Sequence, residues 1–500
     1  MARLGMEVGL VDRAVYERTL ARFGEAGVAL PTIGELKDPS TIPPGIAMRL
    51  RDVDPDAAHP LNLYRVHWFN DASRRGRVPT PGAIELPPEL TGVPARIVLA
   101  LGNRFPMISA HKVLAAYGCL APRVVTGQFD PTRDRAVWPS TGNYCRGGVA
   151  ISRILGCRGV AVLPENMSKE RFDWLEQWVA DKADIIRTPG SESNVKEIYD
   201  ACAALDRDPA NIIFNQFCEF GNYLIHRICT GAALERLFNA LVEGRPRGRL
   251  AAYVSASGSA GTLAAGDHLK NALGARIVAA EAAECPTLLY NGFGEHNIQG
   301  IGDKHVPFIH NVMNTDVLVA VSDHVTDTLM VLFNTEEGRR YLIERLGVDR
   351  ALVAELGNFG LSSICNVVAA IKTAKYFDLG PDDVILTVAT DGADMYGSEI
   401  RKAIVRCFGN RFDVVAAGET WGRSIAGASV DHTLELSHVD RKRVFNLGYF
   451  TWVEQQGVSL EEFQARSRQS FWDGLLDIAS AWDEMIAEFN AKSGVAAKLS

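Results

Sequence analysis

Lys112 closes the string Ser109-Ala-His-Lys112, which follows the strand-like run Ala95–Leu101 and leads directly into the helical pattern Val113–Tyr117. Further on, Ser140-Thr-Gly-Asn143 opens another helix, and Ser255-Ala-Ser-Gly-Ser-Ala-Gly-Thr262 follows another strand. An amine at a helix start, a hydroxyl/amide turn and a phosphate-sized glycine loop are the parts needed to hold pyridoxal phosphate. The amine would form the Schiff base with the cofactor aldehyde, the usual covalent role of an activated lysine.

Each part has a physical reason. The apolar, weakly charged neighbourhood of Lys112 would depress its pKa and favour the neutral nucleophile. Once freed, the amine can take a proton from a substrate Cα and later return it. The adjacent His111 is expected to be structural. In the Ser140–Asn143 turn, the hydroxyls of Ser140 and Thr141 and the backbone of Gly142 and Asn143 stand at a helix N-terminus, which suits an α-carboxylate. An ordinary helix cap has the same composition. Gln216 would add a neutral donor to the same anion. Gly258, Ser259, Ala260, Gly261 and Thr262 form a nest whose glycines allow close backbone approach and whose hydroxyls add donors. The competing reading is a dinucleotide loop. That loop wants G-x-G-x-x-G and an acid about 20 residues later. Here the glycines are spaced G-x-x-G, and Lys112 favours the phosphate of pyridoxal phosphate over NAD.

The elements that must position these residues alternate. Strands are expected at Arg96–Leu101, Gly159–Leu163, Asp184–Arg187, Ile212–Asn215, Leu250–Ser255, Arg276–Ala280 and Val384–Ala389. Helices such as Lys169–Asp181, Asn194–Leu205 and Tyr223–Leu241 lie between them, which predicts an α/β fold with parallel sheets. Before the alternation comes one amphipathic helix, Asp12–Phe23. After it, Phe463, Phe471, Leu475, Leu476, Ile478 and Trp482 recur at helical spacing from Ser459 to Glu488, with Ser459 as N-cap. That stripe carries too much aromatic surface to leave in water.

The 500 residues are 47% hydrophobic with a net charge of −8. They can bury a large core and argue against nucleic acid as the main partner. No stretch approaches the roughly 20 apolar residues of a membrane span, and the start does not read as a signal peptide. The nine cysteines are scattered and form no C-x-x-C pair. A soluble cytoplasmic enzyme with no metal site is the expectation.

From about residue 90 to 400 these motifs, in order, resemble the cysteine synthase family of pyridoxal-phosphate enzymes, with the tryptophan synthase β-like fold. Asn215-Gln-Phe217 with Gly221-Asn-Tyr223, Gly294-Glu-His-Asn-Ile-Gln-Gly-Ile-Gly302, Gly360-Leu-Ser362 and Thr390-Asp-Gly392 extend the match. The resemblance implies that Asn143 contacts the cofactor 3′-oxygen, that Ser362 meets the pyridine nitrogen, and that the protein is a homodimer. It further implies two open parallel-sheet three-layer domains. The segments would be an N-terminal extension, 1–60; a small domain with the Schiff-base lysine, 61–245; a domain with the phosphate loop, 246–420; and a helical extension, 421–500. Tyr144 and Ile364 replace smaller family residues and are expected to reshape the site.

A hydroxyl at Ser362 does not enforce a protonated ring, so it favours prompt loss of a β-substituent over transamination. Ser362 is also a candidate N-cap for Ser363–Lys372. The expected activity is β-elimination on a small amino acid through an aminoacrylate, a lyase. A β-replacement synthase is the alternative, ahead of an NAD oxidoreductase or an inactive subunit of the same fold.

Overall fold

The computed structural model describes residues 3–245 and 247–499. Met1, Ala2, Pro246 and Ser500, which open or close three of the expected segments, lie outside the described residues.

Among the described residues, eleven strands form two sheets: β1 (Ala83–Leu86), β2 (Arg96–Leu101), β3 (Arg135–Pro139), β4 (Arg158–Pro164), β5 (Ile185–Thr188), β6 (Asn211–Ile213), β7 (Arg249–Ala256), β8 (Arg276–Ala282), β9 (Val317–Val321), β10 (Asp383–Ala389) and β11 (Thr433–Glu435). The larger sheet has seven strands in the order β1-β2-β10-β7-β8-β9-β11, and the smaller has four in the order β5-β4-β3-β6. Every pairing is parallel except those of β1 and β11, the two edges of the larger sheet. Helices cover both faces, so central strands such as Val317–Val321 are apolar throughout and fully buried, as parallel sheets require. β1 and β2 belong to the 61–245 segment by sequence, yet they hydrogen-bond into the sheet built mainly from 246–420. The chain thus enters the large sheet, builds the small one, and returns.

This topology places the chemistry. Residues 102–112 follow the carboxyl end of β2, Ser140 follows β3, Ser257–Thr262 follows β7 and Thr390 follows β10. Loops at the carboxyl ends of parallel strands border a common crevice, the usual place for a ligand in open α/β sheets.

The C-terminal tail closes on its own chain. It is two helices, Leu460–Ala465 and Gln469–Ser493, rather than one. The break follows from Arg466, whose guanidinium is buried over Phe308 at 4.0 Å. Its carbonyl accepts the indole N–H of Trp472 at 2.8 Å instead of continuing a helix. Ser459 caps as expected, with Glu462 reciprocating. Trp472, Leu475, Trp482, Ile486 and Phe489 are buried in the main core, and Phe489 meets Phe23 edge-on at 5.2 Å. Phe23 belongs to the N-terminal helix Arg13–Ala26, which Asp12 caps. Both extensions therefore cover the core.

No single helix among the described residues is long and apolar enough to cross a membrane. The bent pair Arg350–Asn358 and Leu361–Tyr376 passes that test together, and most of its second helix is core.

Candidate active site

Lys112 is the first residue of the helix Lys112–Val125, and the loop before it bends through Met107 and Ser109 at φ 64° and 46°. Left-handed backbone at two non-glycine residues is a local cost that the surrounding packing must offset. His111 supplies part of that packing. Its Nε2 bonds Thr262 Oγ1 at 2.8 Å, and its ring stacks on Trp68 at 5.3 Å. Both contacts hold the ring in the packing beside Lys112. The Lys112 amine makes one long contact, 3.4 Å to Ser259 Oγ. Burial pulls its pKa down to about 8, although Asp303 and Glu192 pull the other way. About a tenth of the amine is therefore neutral at pH 7 and about half at pH 8.

The amine lines a narrow cavity with Ser255, Gly258, Ala260, Thr262, Gly300, Ser362, Asn366 and Thr390. Gly258 is needed here because a Cβ would sit 2.6 Å from the Gly300 carbonyl oxygen. Ala260 holds φ 64°, which turns the nest toward the cavity. Asn366 fixes the mouth, accepting from Ala256 N at 2.7 Å and donating to Val388 O at 2.9 Å. Ser362 is the second residue of the helix Leu361–Tyr376, whose N-cap is Gly360. It does not cap that helix, a correction to the sequence reading, and its hydroxyl is free to face the cavity. The cavity wall carries no carboxylate. Asp391 is turned away from it, accepting from Asn143 Nδ2 at 2.7 Å and Tyr396 OH at 2.9 Å, with Arg171 at 3.4 Å.

Beside the cavity stands the Ser140–Asn143 turn. Ser140 Oγ accepts from Gly142 N at 2.9 Å, and Gln216 donates to Pro139 O at 3.4 Å, so the two segments adjoin as expected. Gly142 has φ 148°, and a Cβ there would lie 2.7 Å from Arg171 Nε. Asn143 leans on Asp391 and on Arg146, which donates to Asn143 Oδ1 at 2.9 Å. Tyr144 and Ile364 do not line the cavity. Tyr144 OH donates to Phe214 O at 3.1 Å and its ring packs on Trp138, while Ile364 is core. Both side chains serve packing because their helices turn them toward the sheets.

Several buried polar residues here carried no signal in the sequence. Arg171 has no exposed surface and donates to Gln299, to Tyr396 OH at 2.6 Å and to Asp391. Asn222 Nδ2 bonds Ser259 Oγ at 3.0 Å. Glu192 and Asp303 are buried acids in loops. Burial raises Glu192 to about 8, moderated by Arg171, and Asp303 to about 7, moderated by Lys112. Only the position of Asp303 directly after Gly300-Ile-Gly302 hinted at it. A lone loop acid looks the same whether it meets water or a substrate.

A family model described as pyridoxal-phosphate dependent enzyme matches residues 88–391, more than half of the chain. The chain belongs to that family. The cysteine synthase B of Campylobacter jejuni is 30% identical over 254 residues, 50% of this chain and 74% of its own length. A probable cysteine synthase of Bacillus subtilis is 28% identical over 261 residues, 52% of this chain and 75% of its own. Among solved structures, a hydrogen sulfide-producing enzyme from Fusobacterium nucleatum superposes with a TM-score of 0.52 at 20% identity, over 68% of this chain and 92% of that one. The pyridoxal-phosphate family's cofactor is thus the cofactor of this chain. The cavity fits it: a nearly unbonded amine on one wall, a nest of Gly258, Ala260 and Thr262 with donors for a phosphate, and one neutral hydroxyl at Ser362.

Proposed function

We propose that this pyridoxal-phosphate enzyme is a lyase that removes a β-substituent from a small amino acid. The observation that carries the reading is the Lys112 amine, part-neutral near pH 8, on the wall of a cavity whose lining meets the ring with the Ser362 hydroxyl and no carboxylate. Lys112 would hold the cofactor, the Gly258–Thr262 nest its phosphate, and Ser362 its ring nitrogen. Bound, the cofactor draws off the electron pair released at the substrate Cα. The Ser140–Asn143 turn and Gln216 bind the α-carboxylate and orient the Cα–H bond toward Lys112. The Lys112 amine takes that proton. Ser362, being neutral, leaves the electrons free to expel the β-substituent at once. Burial of Thr141, Gln216 and Glu192 excludes water from the reacting carbons.

The names of the relatives support β-carbon chemistry on small amino acids: two are cysteine synthases, and one structural neighbour is called hydrogen sulfide-producing. β-Replacement is the second reading, favoured by the synthase relatives. We also propose a cytoplasmic homodimer. All nine cysteines are unpaired, seven of them buried, which suits a reducing compartment.

The test is direct. The purified protein should absorb in the visible, and borohydride should fix the cofactor to Lys112. Serine, O-acetylserine and cysteine should then be assayed for 2-oxo acid and ammonium. Colourless protein that stays inert after cofactor addition overturns the proposal. Release of a new amino acid on adding sulfide, without 2-oxo acid, selects the synthase. Sizing in solution tests the dimer.

A further inference from the structure

Glu192 lies in the loop between β5 and the helix Val195–Leu205. Its side chain has no exposed surface, and neither carboxyl oxygen meets a hydrogen-bond partner. Thr141, in the turn assigned to the substrate carboxylate, and the backbone N–H of Gly300 lie beside it and hold its pKa down in part, without forming a well-directed hydrogen bond. Gly300 in turn approaches Ser362, with its Cβ position 3.9 Å from the hydroxyl. Glu192 is therefore wedged between the substrate turn and the cofactor cavity. Its loop is pinned there: Ser193 donates to Gly294 O at 2.7 Å, and Ser191 N to Asn194 Oδ1 at 3.0 Å.

The charges around Glu192 come from three other elements. Arg171 faces it but is committed to Gln299, Tyr396 and Asp391. Asp303, on the 291–310 loop, opposes its ionisation. Lys112 feels both acids, Asp303 more strongly. Burial, which Arg171, Thr141 and Gly300 only partly offset, thus keeps the Glu192 carboxyl protonated at neutral pH. A buried carboxyl with no partner inside the protein is costly, and its position suits a ligand atom.

We infer that Glu192 donates its proton to the departing β-substituent, and that the substrate carries a poor leaving group, a hydroxyl in place of an activated ester. This rests on the proposed lyase reading. The Lys112 amine takes the Cα proton, the Cα–Cβ double bond forms, and the Cβ–O bond breaks with its electron pair on oxygen. That oxygen takes the Glu192 proton and leaves as water. The Glu192 carboxylate then recovers a proton from the Lys112 ammonium, so atoms and charge balance over the turnover. Asp303, closer in effect to Lys112, is a positioning residue that steadies the ammonium. Acid assistance matters most for a leaving group that cannot depart as a stable anion.

The test compares holoenzyme and Glu192→Gln on two substrates of similar size, serine and β-chloroalanine. Chloride needs no proton, so kcat on serine should fall about 10²-fold or more, at least about tenfold beyond any fall on chloroalanine. Exchange of the serine Cα hydrogen in D2O, followed by NMR, should persist in the variant, because Lys112 still acts. In the apoprotein, a carboxyl raised to about 8 loses stability as pH climbs from 4.5 towards 8, because the unfolded state ionises first. Glu192→Gln should flatten that slope in urea melts. If Glu192→Gln does not fold, Glu192→Ala with added formate replaces it, and formate should restore serine elimination selectively. Equal losses on both substrates, or undiminished serine turnover, would overturn the assignment. Wild-type turnover of chloroalanine but not serine would overturn it too. Wild-type inertness to both would instead remove the lyase reading, and this inference with it.

Discussion

Lys112 concentrates the chemistry in a single amine, and its environment sets the sign of its pH response. Its pKa is lowered from 10.5 to about 8 by burial. Between those values the unfolded chain keeps a proton that the folded chain has lost, so apoprotein stability should rise with pH across that window. Lys112→Ala should abolish turnover, retain the cofactor noncovalently, and flatten that rise. Urea midpoints at pH 7, 9 and 10 for both proteins check the second point, and near-normal turnover would sink the first. Ser362 argues at the same scale. Removing a neutral hydrogen bond costs about 0.5–1.5 kcal/mol, so Ser362→Ala should weaken cofactor binding by about two- to twelvefold in an absorbance titration. Ser362→Asp should instead raise side transamination, read as keto-acid-dependent loss of activity. A Ser362→Asp enzyme with unchanged partitioning would refute the electronic role given to the hydroxyl.

At the scale of the element, the substrate turn depends on one backbone conformation. Gly142 sits at φ 148° against the Arg171 guanidinium, and Arg171 is held by Gln299, Tyr396 and Asp391 and cannot retreat freely. Gly142→Ala should therefore shift the whole Ser140–Asn143 turn. We expect KM for the amino acid to rise about tenfold or more, on the order of 1.4 kcal/mol, with some loss of thermal stability, while cofactor absorbance is retained. A variant with wild-type KM would show that the turn does not bind the substrate. The break between the two tail helices is another matter of elements. The apolar spacing ran on from Phe463 to Trp482, but the buried Arg466 at the joint takes its partner, Phe308 O, from another part of the chain.

Across the whole molecule, the tail fastens both ends of the chain to the core. Trp482 is fully buried and donates to Glu7 O at 2.8 Å. Asn490 exchanges two hydrogen bonds with the Leu30 backbone, and Arg227 reaches Trp472 O at 2.6 Å. Truncation after about residue 455 would bare the helix Lys112–Val125, so it should yield insoluble or cofactor-free protein. Trp482→Ala is the milder test, expected to cost about 3–5 kcal/mol and to lower the urea midpoint without altering KM. A soluble, fully active truncation would show that the tail carries no structural load.

What the sequence determined by itself was local. Strand and helix alternation, the Ser459 cap, and the loops carrying Lys112, Ser140–Asn143 and Gly258–Thr262 all depend on neighbours close in the chain. Glycine spacing, cap residues and hydrophobic period report those directly. The order of the motifs, matched to a known family, supplied the cofactor. Contacts between distant segments were decided only by the tertiary structure. β1 and β2 joined the large sheet because β10 offered a parallel partner nearly 300 residues away in sequence. Ser362 lost its capping role because the helix began two residues earlier than its spacing suggested. Tyr144 and Ile364 turned into the core because their neighbours on the sheets left apolar space for them. Glu192 and Asp303 became buried acids only when two loops closed over Lys112. Burial is a property of what packs against a residue, and it sets whether a carboxyl sits in water as a solvated anion or in the interior as a proton donor.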